Sequence, residues 1–371
     1  MKHLFLALIF LVGLSAIAQQ TTETTIKQRF KTELEKDNIK SGLLHVYSES
    51  RNIDIQLVES KEDSISLDHP FYTASITKML TATSTGILKD MRQLDFDDKI
   101  SQFLPEPLMN KLHLFNGKDY TKEITIGHLL QHTSGLPDYF TDKTIDGSAN
   151  IINQLLVDTD KFWTPYEMIE FIKKKMKPHF IPGQGYHYTD TEYVLLALII
   201  ENVSGLSFNA FLKKHIFQPL AMNDSYINLK SSAIKNQFPI AKFYVGDIEL
   251  SSIKSLSADW GGGGLVSTTK DLITFLEAFN ADKVVKKNTR LEMQNWIDES
   301  VGMEYGFGIR KVSYKDENKK LTLIGHTGST SSFFWYCPEL DTYIAGTLNQ
   351  LEASKITIPL VYDVLKIIEG K

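Results

Sequence analysis

The sequence is poor in cysteine, since its 371 residues include only Cys337. One cysteine cannot form a disulfide within the chain, so stability must come from a buried core. Cys337 lies in the apolar run 333–337, which is typical of a strand. We therefore expect a buried small side chain there and not a nucleophile.

The sequence also lacks the marks of several large functional classes. Its formal net charge of −5 gives no basic excess of the kind that nucleic-acid binding needs. The glycine-rich stretch 260–264 lacks the spacing of a phosphate-binding loop and predicts a flexible or closely packed turn. No G-x-S-x-G occurs, which argues against an α/β-hydrolase. No internal repeat or low-complexity segment is present.

An apolar run opens the chain. Lys2 precedes the apolar residues 4–14, and Ala16 and Ala18 form an Ala-x-Ala signal. This pattern is typical of a secretory signal peptide cut after Ala18. The alternative is a transmembrane anchor, for which the run is short, because a span takes about 20 residues. We expect a secreted or periplasmic protein with no stable membrane anchor after cleavage.

Hydrophobic periodicity predicts the organisation of the chain. A helix (22–36) and two strands (42–49 and 53–60) come first, and residues 80–225 are mostly helical. The later strand-like pieces are 238–245, 305–312, 321–324, 332–336 and 343–348, and a last helix covers 359–368. We predict an α/β (α+β) fold in which one antiparallel sheet, built from both chain ends, is flanked by helices. The predicted units are a signal peptide (1–18), a sheet domain (19–79 and 226–371) and an inserted helical lobe (80–225).

The stretch from Ser75 to Lys78 is the first candidate for chemistry. A strand pattern gives way there to a helical one, so the two side chains would lie one turn apart on one helix face. The lysine could then reach the serine, and free N–H groups would stabilise a developing negative charge. Ser-x-x-Lys is weak evidence alone, because it recurs at 232/235, 251/254 and 267/270.

Other segments could supply further groups for acyl transfer. Tyr188 could move a proton if nearby cations held it as a phenolate. Gly328, in the run 325–329 after a strand, would let a ligand approach backbone N–H groups. Taken alone, each is better explained by a structural role. His128 and His132 are four residues apart, but they lack the glutamate and third ligand of a zinc motif, so we expect structural roles.

Together these segments resemble the serine β-lactamase and penicillin-binding protein superfamily. The resemblance is greatest to its class C β-lactamase, DD-carboxypeptidase and esterase branch. Residues 75–78 match Ser-x-x-Lys, residues 188–190 align with Tyr-x-Asn, and residues 326–328 align with Lys-Thr-Gly. The resemblance extends from about residue 71 to residue 349. Supporting segments are 124–139, 188–205, 262–272 and 305–309.

The resemblance implies a two-lobed fold and catalysis without a metal or an organic cofactor. Ser75 would be the acylated nucleophile, Lys78 its activating partner, and Tyr188 the general base and acid. The backbone N–H groups of Ser75 and Ser329 would form the oxyanion hole. The substrate-binding and oxyanion residues would be Asp190, His326, Thr327, Gly328 and Ser329.

Two departures from the family pattern bear on the substrate. His326 stands where β-lactamases usually have lysine, and a histidine is mostly neutral at neutral pH. Asp190 stands where asparagine is usual, and a carboxylate only accepts hydrogen bonds. Asp190 could raise the pKa of Lys78, which would make it a poorer base, or it could bind a substrate amine. Both departures argue against an efficient β-lactamase.

The expected function is that of an exported serine hydrolase that works through an acyl-enzyme. The expected substrates are small esters, D-amino-acid peptides or amides, or peptidoglycan fragments, with β-lactams as weaker candidates. The alternative is a penicillin-binding or peptidoglycan-binding module that does not turn over. We expect no nucleic-acid partner.

Overall fold

The structure is a computed structural model that describes residues 20–36, 39–61, 64–235, 238–316 and 319–370. The predicted signal peptide lies outside the described residues. The α-helices of the described part are α1 (20–35), α2 (Thr77–Asp90), α3 (Glu106–Met109), α4 (Ile126–Leu130), α5 (Ile151–Leu155), α6 (Pro165–Lys175), α7 (Asp190–Ser204), α8 (Phe208–Leu212), α9 (Trp260–Gly263), α10 (Thr269–Asn280), α11 (Lys287–Met293) and α12 (Thr357–Glu369). Its strands are β1 (Ser41–Ser48), β2 (Ile53–Ser60), β3 (Phe71–Tyr72), β4 (Leu114–Phe115), β5 (Lys118–Asp119), β6 (Tyr226–Ile227), β7 (Tyr244–Val245), β8 (Ile248–Glu249), β9 (Leu265–Ser267), β10 (Ile297–Ser300), β11 (Met303–Tyr305), β12 (Arg310–Asp316), β13 (Lys319–Thr327), β14 (Ser332–Cys337) and β15 (Thr342–Thr347).

Both ends of the chain form one antiparallel sheet of eight strands, in the order β10-β11-β12-β13-β14-β15-β1-β2. Strand β1 joins the two parts, because Leu44 lies opposite Leu57 of β2 and Gly346 of β15. This confirms the predicted α/β class and the sheet made from both chain ends. The domain boundaries stay a prediction, and the one at residue 79/80 falls inside α2.

Alternating side chains of this sheet face two apolar layers, as the period of a strand requires. Leu44 and Trp335 pack with α1 and α12 on one face. Leu43 and Phe334 pack with α10 on the other face, where the core continues into the helical block. Cys337 is buried in the first layer, as predicted, and burial raises the pKa of its thiol to about 12.

Helix α2 is the buried axis of the second layer. Every residue from Thr77 to Leu88 is buried, and the neighbouring helices include α7 and α9. A helix enclosed in this way has an apolar or small side chain on most faces, which matches its Thr, Ala, Leu and Met content. Its N-terminus therefore holds a fixed position between the sheet and the helical block.

Three local predictions need correction. The predicted strand 305–312 is broken into β11 and β12, because Gly308 has φ +70° and a Cβ there would lie 2.5 Å from the Cβ of Ala82. Within the predicted turn 260–264, residues Trp260–Gly263 form the short helix α9, and of the two alternatives the close packing is present, because a Cβ on Gly261 would lie 2.6 Å from that of Ala197. Within the described part of 238–245, only residues 244–245 form a strand.

No single helix in the described ranges is long and apolar enough to cross a membrane. The segments Asp190–Ser204 and Phe208–Phe217 meet the length and composition criteria only as a pair, which is bent by 71° at its break.

Candidate active site

Ser75 sits at the junction between strand β3 and helix α2. It occupies a 3₁₀ turn, Ala74–Ile76, and Ala74 before it has φ +47°, which is a strained value for a residue with a Cβ. Between His69 and Leu88, Ser75 is the one residue that is not buried. The chain thus presents a single hydroxyl from an otherwise closed segment.

Lys78 lies directly below Ser75 and is fully buried. Its Nζ atom donates to Ser75 Oγ at 3.2 Å, to the Gly262 carbonyl at 3.0 Å and to the Asp190 carboxylate. Burial by itself would lower the pKa of Lys78, but the Asp190 carboxylate raises it above its ordinary value. Of the two effects that the sequence left open for Asp190, the pairing with Lys78 is present.

Tyr188 completes this group at the N-terminal end of helix α7. Its ring centroid lies 4.8 Å from Lys78 Nζ and 5.0 Å from the Cζ atom of Arg310. Burial raises the pKa of Tyr188, and the cations of Lys78 and Arg310 offset only part of this effect. A resting phenolate, as the sequence suggested, is therefore disfavoured, and Tyr188 is a neutral phenol at pH 7.

Arg310 is a site residue that the sequence reasoning missed. Its Nε and Nη2 atoms donate to the two carboxylate oxygens of Glu299 at 2.8 and 2.6 Å, and its Nη1 atom donates to Thr327 Oγ1 at 3.1 Å. The two paired side chains are 14% and 11% exposed. Arg310 directly follows residues 305–309, which support the family resemblance, and this position in the sequence is the signal that could have identified it as a site residue. The cation thus contacts the strand that carries His326.

His326 is fully buried and lies behind the cavity wall. Its Nδ1–H donates to the Thr327 carbonyl at 2.7 Å, and its Nε2 lies 3.3 Å from the Tyr305 hydroxyl. Burial and the Arg310 cation lower its pKa well below the ordinary value, so the ring is neutral. The missing family lysine is therefore replaced by a neutral ring, with Arg310 as the nearby cation.

The turn that follows strand β13 approaches the backbone just before Ser75. A Cβ on Gly328 would lie 2.2 Å from the Thr73 carbonyl, so only glycine fits there. The hydroxyls of Thr330 and Ser332 donate to the carbonyls of Tyr72 and Thr73, at 2.7 and 2.6 Å. These contacts hold the turn against β3 and place Ser329 beside the Ser75 cavity. The oxyanion role of the two N–H groups stays a prediction.

A cavity of about 470 Å³ opens above Ser75. Tyr188, Asp190 and Ser329 line it, whereas His326, Thr327 and Gly328 are not among its lining residues. Lys78 is not a lining residue and reaches the cavity only through its hydrogen bond to Ser75. Much of the wall is apolar: Tyr72, Phe140, Ile152, Leu155, Leu156, Phe243, Val245, Leu250, Ile253 and Leu256.

Two further carboxyl groups line the same cavity. Asp138 accepts from the Asp190 backbone N–H at 3.0 Å, and Asp259 accepts from the Tyr72 hydroxyl at 2.9 Å. Burial, together with the Asp190 charge, raises their pKa values to about 6 and about 7. No lysine, arginine or histidine belongs to the described lining. The cavity thus attracts cationic groups and repels anionic ones.

His132 supports Tyr188 from behind and does not form a metal site with His128. Its Nδ1 lies 2.5 Å from Glu192 Oε2, and its ring centroid lies 4.3 Å from that of Tyr188. Burial raises the pKa of Glu192 well above its ordinary value, and burial lowers the pKa of His132 well below its ordinary value, so the surroundings disfavour the charged form of each. His128 instead closes the cap of α4 with Thr125.

Comparison with known proteins identifies the family of this fold and site. Residues 26–360 match the family described as Beta-lactamase. The chain belongs to this family, which confirms the predicted relation to serine β-lactamases and penicillin-binding proteins. The match covers every residue of the candidate site.

Individual relatives lie within the same group. The chain is 29% identical over 274 residues to penicillin-binding protein 4* of Bacillus subtilis (strain 168), covering 70% of this chain and 55% of that protein. It is 23% identical over 242 residues to a D-aminopeptidase of Brucella anthropi, covering 63% and 43%. The chain thus spans about half the length of these relatives.

Solved structures have the same fold. The D-amino acid amidase from Ochrobactrum anthropi SV3, complexed with L-phenylalanine amide, superposes with a TM-score of 0.77 at 21% identity, over 94% of this chain and 99% of that one. A D-stereospecific amidohydrolase from Streptomyces sp. gives a TM-score of 0.74 at 23% identity, over 90% and 94%. At this identity the likeness establishes the fold alone.

Proposed function

We propose that the chain is an exported serine hydrolase that acts through an acyl-enzyme on Ser75. One observation carries the proposal: the partly exposed Ser75 hydroxyl lies 3.2 Å from the buried Lys78 amine and lines a cavity that Tyr188 also lines. A serine needs such a neighbour to lose its proton as it attacks. The expected signal peptide, residues 1–18, supports export.

In the first step, Ser75 Oγ bonds to the substrate carbonyl carbon, and its proton passes through Lys78 or Tyr188 to the leaving group. The bond between the carbonyl carbon and the leaving group then breaks. Water attacks the resulting ester, and its proton returns to Ser75 by the same route. The N–H groups of Ser75 and Ser329 are the proposed donors to the oxyanion.

The substrate class follows from the charges around the cavity. Asp138, Asp190 and Asp259 face it, and no basic side chain of the described residues lines it. A substrate with a free amine and an apolar side chain fits both the carboxyl groups and the apolar wall. We infer small amino-acid amides, esters or peptides as substrates. The names of the D-aminopeptidase and D-amino acid amidase support the D configuration.

The Asp190 carboxylate gives amine-bearing substrates a second advantage. Asp190 holds the pKa of Lys78 above its ordinary value, which makes the resting lysine a poor base. A substrate ammonium at Asp190 would offset that carboxylate and lower the pKa of Lys78. Peptidoglycan fragments with a free amine belong to the same class. Carboxylate-bearing β-lactams are the least suited.

The direct test is covalent labelling by a fluorophosphonate probe. We expect wild-type protein to be labelled and Ser75→Ala to lose all labelling. Ser232→Ala is the matched control, because Ser232 belongs to another Ser-x-x-Lys and is exposed. Equal labelling of wild type and Ser75→Ala would overturn the nucleophile assignment.

A non-turnover penicillin-binding module is the second candidate. The observation that favours it is the raised pKa of Lys78, because a protonated lysine cannot help water to hydrolyse the acyl-enzyme. Continued release of p-nitrophenol from a p-nitrophenyl ester would indicate an enzyme. A single stoichiometric burst would indicate the binding module and would overturn the hydrolase proposal.

A further inference from the structure

Three ligand-type side chains converge near the surface, outside the Ser75 group. Asp142, His179 and His187 come from separate positions in the sequence, yet their candidate ligand atoms all lie within 4.8 Å of one another. The Nε2 atoms of the two histidines lie 2.7 and 2.9 Å from the same oxygen, Asp142 Oδ2. The two nitrogens and the carboxylate thus point at one place.

The backbones that carry these side chains are held by a common segment. The N–H of His179 donates to the Gly135 carbonyl at 2.8 Å, and the N–H of His187 donates to the His132 carbonyl at 2.9 Å. The Asp138 N–H donates to Asp142 Oδ2 at 2.8 Å. Residues 132–138 therefore hold the backbones of both histidines and one oxygen of the Asp142 carboxylate, which brings the three side chains together.

The two imidazole rings lie close together and are tilted relative to each other. Their centroids lie 3.8 Å apart with 35° between the ring planes. Both rings thus present an Nε2 atom to the position that the Asp142 carboxylate also faces, where one divalent ion can be bound. The side chains of His179, His187 and Asp142 are 40%, 25% and 17% exposed, so an ion has access from solvent.

We propose that Asp142, His179 and His187 bind one divalent transition-metal ion, and that Zn²⁺ fits best. Two histidines and one carboxylate are a common ligand set for zinc, with water in the fourth position. Bond lengths of about 2.0–2.1 Å place tetrahedral ligands roughly 3.3–3.4 Å apart. The nitrogens would therefore move away from the carboxylate oxygen by about half an ångström, which side-chain rotation can supply.

The bound ion would connect separate chain segments, and its water ligand would leave one coordination position open. It would join the loop around Asp142 to the two loop positions that precede helix α7, and Tyr188 follows His187 directly. The ion lies outside the Ser75–Lys78 pair and takes no part in the proposed acyl transfer. The inference therefore stands or falls independently of the proposed function.

The test is zinc binding by the untagged protein after dialysis against a chelator and then metal-free buffer. We expect calorimetric titration with ZnCl₂ to give a single saturable site per chain and a higher Tm in its presence. His179→Asn and Asp142→Asn should lose both effects. Asp146→Asn and His215→Asn should keep both, since Asp146 pairs with Lys175 and His215 lies in the helical segment after α8.

Cobalt provides a second readout that does not depend on stability. Co²⁺ in the wild-type site should give the visible absorption bands of a tetrahedral ion, and His179→Asn should abolish them. A Tm measured without metal shows whether each variant folds, and the partly exposed His179 is the position where a substitution is best tolerated. Failure of the wild type to bind zinc, or equal binding by the folded His179→Asn variant, would overturn the site.

Discussion

Two cations lie near the Tyr188 ring, the buried Lys78 and the partly buried Arg310, and they differ in what surrounds them. Lys78 Nζ lies 4.8 Å and Arg310 Cζ lies 5.0 Å from its ring centroid, and each cation is paired with a carboxylate. The Arg310–Glu299 pair is bidentate and closed off by Thr327. The Lys78–Asp190 pair instead adjoins Ser75 and the cavity.

The Arg310–Glu299 pair therefore supports the site, whereas the interaction between Lys78 and Asp190 can change when a ligand binds. Arg310 satisfies both carboxylate oxygens of Glu299, so neither partner can change without leaving a buried charge. Asp190 has two carboxyl neighbours at the cavity, Asp138 and Asp259, and a bound cation could replace part of its interaction with Lys78. The Lys78–Asp190 pair, carried by helices α2 and α7, is the helix side of Tyr188 and is suited to respond to substrate. The Arg310–Glu299 pair, with Arg310 on strand β12, is the strand side and is suited to hold its position.

The largest expected effect is on the strand side. Arg310→Met leaves the Glu299 carboxylate, which is 11% exposed, without its partner, and the loss of one partner from a fully buried ion pair, at about 3–5 kcal/mol, sets the upper bound of the cost. We expect the free energy of unfolding, measured by urea denaturation at pH 7, to fall by up to that amount. Activity of the remaining folded protein should also fall, because Thr327 and the Tyr188 ring lose their contact with the cation.

Lys311→Met is the matched control for this substitution. Lys311 is the next residue along β12 and pairs with Glu304, whose side chain is 34% exposed. Exposed pairs contribute about 1 kcal/mol or less. If the two variants lost the same stability, the Arg310 pair would not be the supporting element, and the contrast between the two sides of Tyr188 would fail.

The two sides also differ in how far the sequence predicts them. Ser75 and Lys78 are three residues apart on one helix, so local spacing brings them together. Arg310 reaches the site because β12 pairs with β13, where it lies opposite Gly325. No local sequence pattern predicts which residues of β12 and β13 lie opposite each other. Asp142, His179 and His187 were missed for the same reason, since they meet only through three loop segments.

The same distinction between local pattern and tertiary contact explains which parts of the sheet the sequence predicts. Residues 53–60 alternate and have one buried face, so their strand was predicted with its observed bounds. The break at 306–309 was not predicted, because it depends on contact of Gly308 with helix α2 and not on periodicity. The sequence shows Gly306 and Gly308, but it does not show that Gly308 packs against helix α2.

An intermediate effect is expected on the helix side. Asp190→Asn removes the charge that raises the pKa of Lys78 and, in the proposal, the charge that binds a substrate amine. We expect kcat/KM for an aminoacyl p-nitroanilide to fall relative to that for a neutral p-nitrophenyl ester. The ratio should change by about tenfold or more, which corresponds to about 1.4 kcal/mol. Measurement at pH 8 keeps Asp259 ionised, because its pKa is about 7.

Asp158→Asn is the control for charge, because it removes one carboxylate from an exposed position. It should leave the ratio unchanged. A parallel loss of both activities in Asp190→Asn would mean that Asp190 only positions Lys78. In that case the helix side would be as rigid as the strand side.

The smallest effect is expected from His326→Lys, which restores the residue usual in β-lactamases. A lysine there should raise hydrolysis of a carboxylate-bearing β-lactam relative to a neutral ester. The gain should stay below about tenfold, because the side chain is fully buried and Arg310 already lowers the pKa of a basic group at this position. His326→Gln, which stays neutral, is the control. An unchanged ratio in His326→Lys would mean that His326 does not set specificity, and that the anionic cavity beside Asp190 alone excludes such substrates.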